Sequence, residues 1–465
     1  VPQPPSEGLV VAYYGDDFTG STDVMETLED AGIPTLLFLE PPTREEVASH
    51  PEVRAVGVAG VSRTLSPAEM DDELPSVFSA LAALGAPLLH YKICSTFDSS
   101  PEVGSIGRAT ELLRRAVPGG EDRATALVVG VPQLGRWTAF GTLFATFQGE
   151  VYRLDRHPAM SVHPITPMHE ADVRVHLSGQ TSLPLSLIDV FDLDGPDDEV
   201  ARRVDESLGA SDGIVVLDVA DHETQRRVGS ALHRRLEAAS ATGGTAVVVG
   251  SSGVEYALGA AWGRQGHAAE RAVRPAGTTL VVSGSRAPAT QRQAEAAVAA
   301  GFLRVDLDPA AITAESATDA EDADATRAAV AAQVVAALSA SDRVLLFTPP
   351  PVPGAPAVDG TRLSLALADI TRQVLDRVDI PRLVVAGGDT SGYVAKALGI
   401  RALRLVRRLA PGSPLCSAVS DDPRVDGMEL CLKGGQIGAP DYFVRIADLG
   451  TDDVGTENVG AAAAG

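Results

Sequence analysis

Two adjacent carboxylates, Asp16 and Asp17, follow the apolar run 9–14 within Gly15-Asp16-Asp17-Phe18-Thr19-Gly20-Ser21-Thr22-Asp23. Carboxylates at a strand end can orient a substrate hydroxyl, accept its proton or hold a metal ion. Asp17, Thr19 or Ser21 can equally cap the following helix, and both readings stand. A second polar segment, Lys92-Ile93-Cys94-Ser95-Thr96-Phe97-Asp98-Ser99-Ser100, also follows an apolar run, and Arg63 follows a third. Cations for a carboxylate, with hydroxyls and an Asp for alcohol groups, are what a polyol acid would need.

Glycine-rich turns form the other group: Ser283-Gly284-Ser285, Gly387-Gly388-Asp389-Thr390-Ser391-Gly392 and Lys433-Gly434-Gly435-Gln436-Ile437-Gly438. Small residues between a strand and a helix let backbone N–H groups and the positive helix end approach an anion, so the set reads as a phosphate cradle. It is not a Walker loop, because none of the lysines follows a glycine, and no GxGxxG opens a helix. A dehalogenase-type phosphatase would carry its second Asp two positions after the first, and here the two are adjacent. Cys94 reads as a small packed residue. His157, His163 and His169 lie six apart among prolines, which is not metal-ligand spacing, and no metal ligand is assigned.

These residues need rigid elements to hold them. Strands are expected over 9–14, 35–39, 55–58, 88–93, 126–129, 214–217 and 246–249, then over 278–282, 344–347 and 382–386, with helical patterns between many of them. Alternating strands and helices predict an α/β chain of two domains, each a mainly parallel sheet flanked by helices. The polar, Pro/Gly-containing stretch 266–277 reads as a linker, the stretch 312–338 as acidic and mostly helical, and 348–360 as a Pro-rich loop that could act as a lid. Ligands in such chains often bind between domains.

Composition narrows the partners. At 465 residues and a net charge of −24, the chain is large enough for several cores and should repel nucleic acid and anionic membranes. Three scattered cysteines give neither a disulfide framework nor a CxxC pair. No apolar run approaches the roughly 20 residues of a membrane span, and 1–8 does not read as a signal peptide. A cytoplasmic enzyme is expected. Lysines occur only at 92, 396 and 433 against an arginine-rich background, which marks them as candidate sites for a compact ammonium.

Taken in order, the turn at 15–23, the segment 92–100, His163-Pro164-Ile165-Thr166-Pro167-Met168 and the three glycine turns resemble the four-carbon acid sugar kinase family across nearly the whole chain. That resemblance implies an N-terminal sugar-acid-binding domain and a C-terminal nucleotide-binding domain, which the linker places at 1–265 and 278–459; the low-complexity stretch 460–465 reads as a disordered tail. It implies ATP with Mg²⁺ as donor and a terminal hydroxyl of a small sugar acid as acceptor, and leaves a homodimer open. Carried over, Asp16, Arg63, Lys92, Ser95, Thr96 and Asp98 would face the acid. Ser283, Gly284, Ser285, Gly387, Gly388, Asp389, Thr390, Gly435 and Gly438 would hold ATP. The chemistry of phosphoryl transfer makes Asp17 or Asp389 the candidate general base or metal-orienting carboxylate, and Lys433 or Lys92 the candidate to offset developing charge. The form Cys94-Ser95-Thr96-Phe97-Asp98 looks like the 3-oxo-tetronate branch, and Tyr13-Tyr14 leaves the related 3-oxo-isoapionate branch equally open. A phosphohydrolase on a similar fold and a non-catalytic sugar-acid sensor are the alternatives.

Overall fold

The β-branched runs become buried strands, and the polar segments after them become turns along one edge of a sheet. The computed structural model describes residues 1–264, 271–275, 277–313, 317–350, 358–410 and 412–451. The expected linker 266–277, loop 348–360 and tail 460–465 lie wholly or in large part outside the described residues. The chain divides into two compact units, Val1–Ala268 and Ala269–Asn458.

The first unit carries strands β1 Val11–Gly15, β2 Thr35–Phe38, β3 Ala55–Ala59, β4 Leu88–Lys92 and β5 Thr125–Val128. It continues with β6 Arg136–Ala139, β7 Thr142–Phe147, β8 Glu150–Arg153, β9 Leu185–Ile188, β10 Ile214–Leu217 and β11 Ala246–Gly250. Eight of these form a parallel sheet in the order β2-β3-β1-β4-β11-β5-β10-β9. The chain leaves β1 toward β2 on one side and later crosses to β4 on the other. The C-terminal ends of β1 and β4 therefore flank a topological switch point, where open α/β sheets bind ligands. Gly15 is in register with both Ala59 and Lys92, so the turns after β1, β3 and β4 emerge side by side. Tyr13 and Tyr14 are accommodated by glycines on and just after β3, since a Cβ at Gly57 or Gly60 would lie 2.1 or 2.0 Å from a tyrosine ring.

The second unit contains β12 Thr279–Ser283, β13 Leu303–Asp306, β14 Arg343–Phe347, β15 Arg382–Ala386, β16 Ile400–Ala410, β17 Ser413–Ser420 and β18 Glu429–Lys433. Their order is β13-β14-β12-β15-β18-β17-β16, with the first five parallel and β17 and β16 antiparallel. The switch point recurs between β12 and β15. There Ser283 is in register with Ala386, and Ala386 with Lys433. Each unit is thus α/β with a mainly parallel sheet. Not foreseen were the antiparallel β6-β7-β8 sheet, strands β9 and β13, and the β16–β18 arm; the acidic helix begins at Ala317, earlier than expected.

At the opposite end of β15 and β18, Arg382 and Glu429 form a buried ion pair at 2.6 Å. The remaining guanidinium hydrogens go to the carbonyls of Ile446, Leu449 and Arg274 at 2.9–3.0 Å. Glu429→Ala leaves this charge buried without its counter-ion and should destabilise the second unit by about 3–5 kcal/mol. Urea unfolding followed by circular dichroism checks this; replacing both residues by apolar ones should cost less.

Candidate active site

In the first unit the turn after β1 is fixed from both sides. Asp16 N–H donates to the Lys92 carbonyl at 2.9 Å, and Arg63 N–H donates to the Asp16 carbonyl at 3.1 Å. The Arg63 guanidinium grips the buried Asp16 carboxylate through Nε (3.1 Å) and Nη2 (2.8 Å), and Nη2 also reaches Asp17 Oδ1 at 2.9 Å. Burial pushes the Asp16 carboxyl above its ordinary range, against the pull of Arg63. Asp17 is more open, and its Oδ1 accepts from Gly20 N–H at 2.8 Å as the N-cap of the helix Phe18–Asp30. It therefore caps a helix and presents a carboxylate at the sheet edge at once.

Lys92 is buried, and its Nζ donates to the Ile93 carbonyl at 2.8 Å. Gly20 is where the ammonium and Asp17 converge: a Cβ there would lie 2.6 Å from Lys92 Nζ and 2.6 Å from Asp17 Oδ1. Both are ends of side chains, so the fold can yield while the site cannot. Gly20→Ala should lower turnover by about 100-fold, the cost of a displacement near 1 Å, with a thermal unfolding midpoint close to wild type. Steady-state kinetics and calorimetry on the same preparation check this.

The loop after β4 turns sharply at Phe97, a buried residue with φ 58° packed edge-on against His176. Thr96 Oγ1 donates to Asp98 Oδ1 at 2.8 Å and lies 2.9 Å from Cys94 Sγ. Loss of hydration pushes the Cys94 thiol up to about 11, which keeps it protonated and inert at neutral pH. Ser95 is half-buried on the same loop. His157 Nδ1 accepts from the N–H groups of Ala159 and Met160, and His163 Nδ1 from that of Thr166, so both histidines hold turns.

The second unit gathers its three glycine turns at the other switch point. Gly284 and Ser285 N–H both donate to the Ala386 carbonyl at 3.0 Å, and Gly387 N–H donates to the Lys433 carbonyl at 2.9 Å. Gly387 has φ 132°, a conformation that disfavours side chains. Contact is close: a Cβ at Gly284 would sit 2.2 Å from Thr390 Oγ1, and one at Gly435 would sit 2.4 Å from Ser285 Oγ. Gln293 Nε2 ties down the carbonyls of Ile437, Gly438 and Ala439 at 2.9–3.0 Å. Gly388 and Asp389 are exposed on the first turn of the helix Gly388–Ala397.

Lys433 ends β18, next to the Gly387 turn that its carbonyl holds. Its ammonium is buried, 3.2 Å from Thr290 Oγ1 and 5.7 Å from the Phe443 ring centroid. Among the described residues it has no carboxylate partner. Burial lowers its pKa to about 8. The buried hydroxyls of Ser283 and Thr348, neighbours through the bond from Thr348 N–H to the Ser283 carbonyl, also lack partners among the described residues. An uncompensated buried cation on the same sheet edge as these free hydroxyls and the close-packed glycine turns suits a polyphosphate.

The family models divide the chain in the same way. Residues 11–258 match a sugar-binding N-terminal domain, and residues 280–443 match a nucleotide-binding C-terminal domain. The chain is 45% identical over 462 residues to 3-oxo-isoapionate kinase of Paraburkholderia graminis, covering 95% of this chain and 94% of that one. The chain belongs to the four-carbon acid sugar kinase family. A second kinase of this family, 3-oxo-tetronate kinase of Methylobacterium radiotolerans, is 32% identical over 95% of this chain and 99% of its own. A Salmonella typhimurium LT2 crystal structure has the same fold, with a TM-score of 0.74, 24% identity and coverage of 94% of this chain and 98% of that one. In this family member the sequence-predicted residues fall into two groups: Asp16, Asp17, Arg63, Lys92, Ser95, Thr96 and Asp98 on the first unit, and the glycine turns with Asp389, Thr390 and Lys433 on the second. Thr290, the Lys433 partner, was not legible, because a threonine inside the helix Pro288–Ala299 carries no local signal.

Proposed function

We propose that this ATP-dependent sugar-acid kinase acts on a branched 3-oxo acid of the 3-oxo-isoapionate type. The observation that carries the nucleotide assignment is the buried Lys433 ammonium without a carboxylate partner among the described residues, at the point where three glycine turns converge. The 45% identity to the 3-oxo-isoapionate kinase, against 32% to a 3-oxo-tetronate kinase, supports the choice of acid.

Asp17 takes the proton of the acceptor hydroxyl as its oxygen bonds to the γ-phosphorus. The bond from that phosphorus to the bridging oxygen breaks, ADP leaves, and the proton passes to solvent. Lys433 balances charge on the phosphates, which is where a loose phosphoryl-transfer transition state needs it. No group of three or more metal-ligating side chains occurs among the described residues. Mg²⁺ would screen phosphate charge, and the exposed Asp389, on the first turn after Gly387, is the carboxylate that would hold it.

The test is a coupled ADP-release assay with 3-oxo-isoapionate and 3-oxo-tetronate as separate acceptors. A higher kcat/KM for the branched acid is expected. A preference for the tetronate transfers the assignment to that branch, and phosphate release without any acceptor points to a phosphohydrolase.

A further inference from the structure

We infer that Arg136, on the small antiparallel sheet of the first unit, is the residue that receives the carboxylate of the sugar acid. The inference rests on the sugar-acid reading of this unit and adds a binding residue to it.

Arg63, whose backbone N–H holds the turn after β1, has its guanidinium fork taken up by Asp16 and Asp17. A substrate carboxylate would have to displace two resident carboxylates to use it. Arg136 is in the opposite condition. Its Nη1 donates to the carbonyls of Leu134 and Gly135, both at 3.0 Å, which fixes the guanidinium without neutralising it. Its Nε is buried and has no hydrogen-bond partner, and among the described residues it makes no ion pair. A guanidinium held by neutral carbonyls, with a buried N–H left over, is a donor waiting for a planar anion.

The fold brings this side chain to the ligand edge. Arg136 pairs with Val131, just beyond the end of β5, through hydrogen bonds in both directions at 2.9 and 3.2 Å. Thr138 N–H donates to the Val219 carbonyl at 2.9 Å beyond β10. The antiparallel sheet is thereby anchored on the C-terminal edge of the parallel one, the edge that bears Asp17 and Lys92. Burial lowers the Arg136 pKa, and the nearby groups that oppose this are Cys94, which stays protonated, and Asp98. The Asp98 carboxylate is engaged by Thr96 Oγ1 at 2.8 Å and makes no ion pair with Arg136. His157 is kept neutral by burial and by the Arg136 charge itself, so it adds no second cation.

The experiment compares wild type, Arg136→Gln and Arg136→Lys in titration calorimetry with 3-oxo-isoapionate, its carboxamide and ATP. In wild type the acid should bind far more tightly than the carboxamide. Arg136→Gln should weaken the acid by roughly 100-fold or more, leave the carboxamide and ATP unchanged, and so erase the discrimination. Arg136→Lys should recover part of it, and gives the same comparison if the Gln variant is poorly folded. Unchanged discrimination in the folded variants overturns the inference. A wild type that turns over acid but binds the carboxamide equally well also overturns it, while leaving the kinase reading intact. A wild type that binds and turns over no acid overturns both.

Discussion

Lys433→Met lowers kcat/KM for ATP by about 100- to 1,000-fold, the scale of removing one charge-stabilising donor from a preorganised site. The same substitution raises the unfolding temperature of the ligand-free protein. Both follow from one fact: the ammonium is buried beside Thr290 with no carboxylate partner among the described residues. Burial brings its pKa down to about 8 from an ordinary value of 10.5. Below pH 8 the folded and unfolded chains are both protonated, and the folded one carries the full cost of the buried charge. Between about 8 and 10.5 only the unfolded chain keeps the proton, so this group destabilises the fold progressively less as pH rises. Function runs the other way. A phosphate needs the charged form, so kcat/KM for ATP should fall as pH rises through about 8, and ATP binding near that pH should take up a proton. Calorimetry in buffers of different ionisation enthalpy reads the uptake directly, and Lys433→Met should abolish it. An ATP kcat/KM unaffected by the substitution removes Lys433 from the site.

Asp17→Asn gives the second large effect, a loss in kcat of about 100- to 10,000-fold with little change in stability. The substitution separates the observed helix cap from the proposed proton acceptor, both carried by one side chain. Asn caps helices as well as Asp does, so the bond from Gly20 N–H to the side-chain oxygen survives. What is lost is the carboxylate that can take a proton. Asp16 is a poor substitute, since it is buried and clamped by the Arg63 fork. A variant that folds normally and turns over at near wild-type rate reduces Asp17 to a cap. The readout is kcat with both substrates saturating, beside the thermal midpoint.

Most of the parallel strands were legible because each is a short apolar run followed by a turn; β9, β13 and β18, although parallel, were not. The clustering of Asp16, Arg63 and Lys92 was partly legible, since all three follow such runs. Their distribution was not: whether Arg63 stays free or is absorbed by Asp16 depends on the register of Gly15 with Ala59, a long-range fact. The antiparallel strand β16 was missed because bulges shift its register near Ile400, Leu405 and Arg407, breaking the period-two alternation that marks a strand. The β6-β7-β8 sheet was missed because its strands are half-exposed, short and joined by tight turns at Phe140-Gly141 and Gln148-Gly149, where φ is positive. With that sheet unseen, nothing distinguished Arg136 from the other arginines of an arginine-rich chain. Lys433 was found by its rarity, although composition could not reveal that it would lie buried without a carboxylate partner among the described residues.

Phosphoryl transfer is followed directly by incubating the enzyme with γ-labelled ATP, Mg²⁺ and 3-oxo-isoapionate, separating the products and locating the label. Label is expected on the sugar acid, one equivalent per ADP formed, and none on any product when the acid is omitted. Label appearing as inorganic phosphate, or remaining wholly in ATP with both 3-oxo acids present, would rule out a 3-oxo-acid kinase.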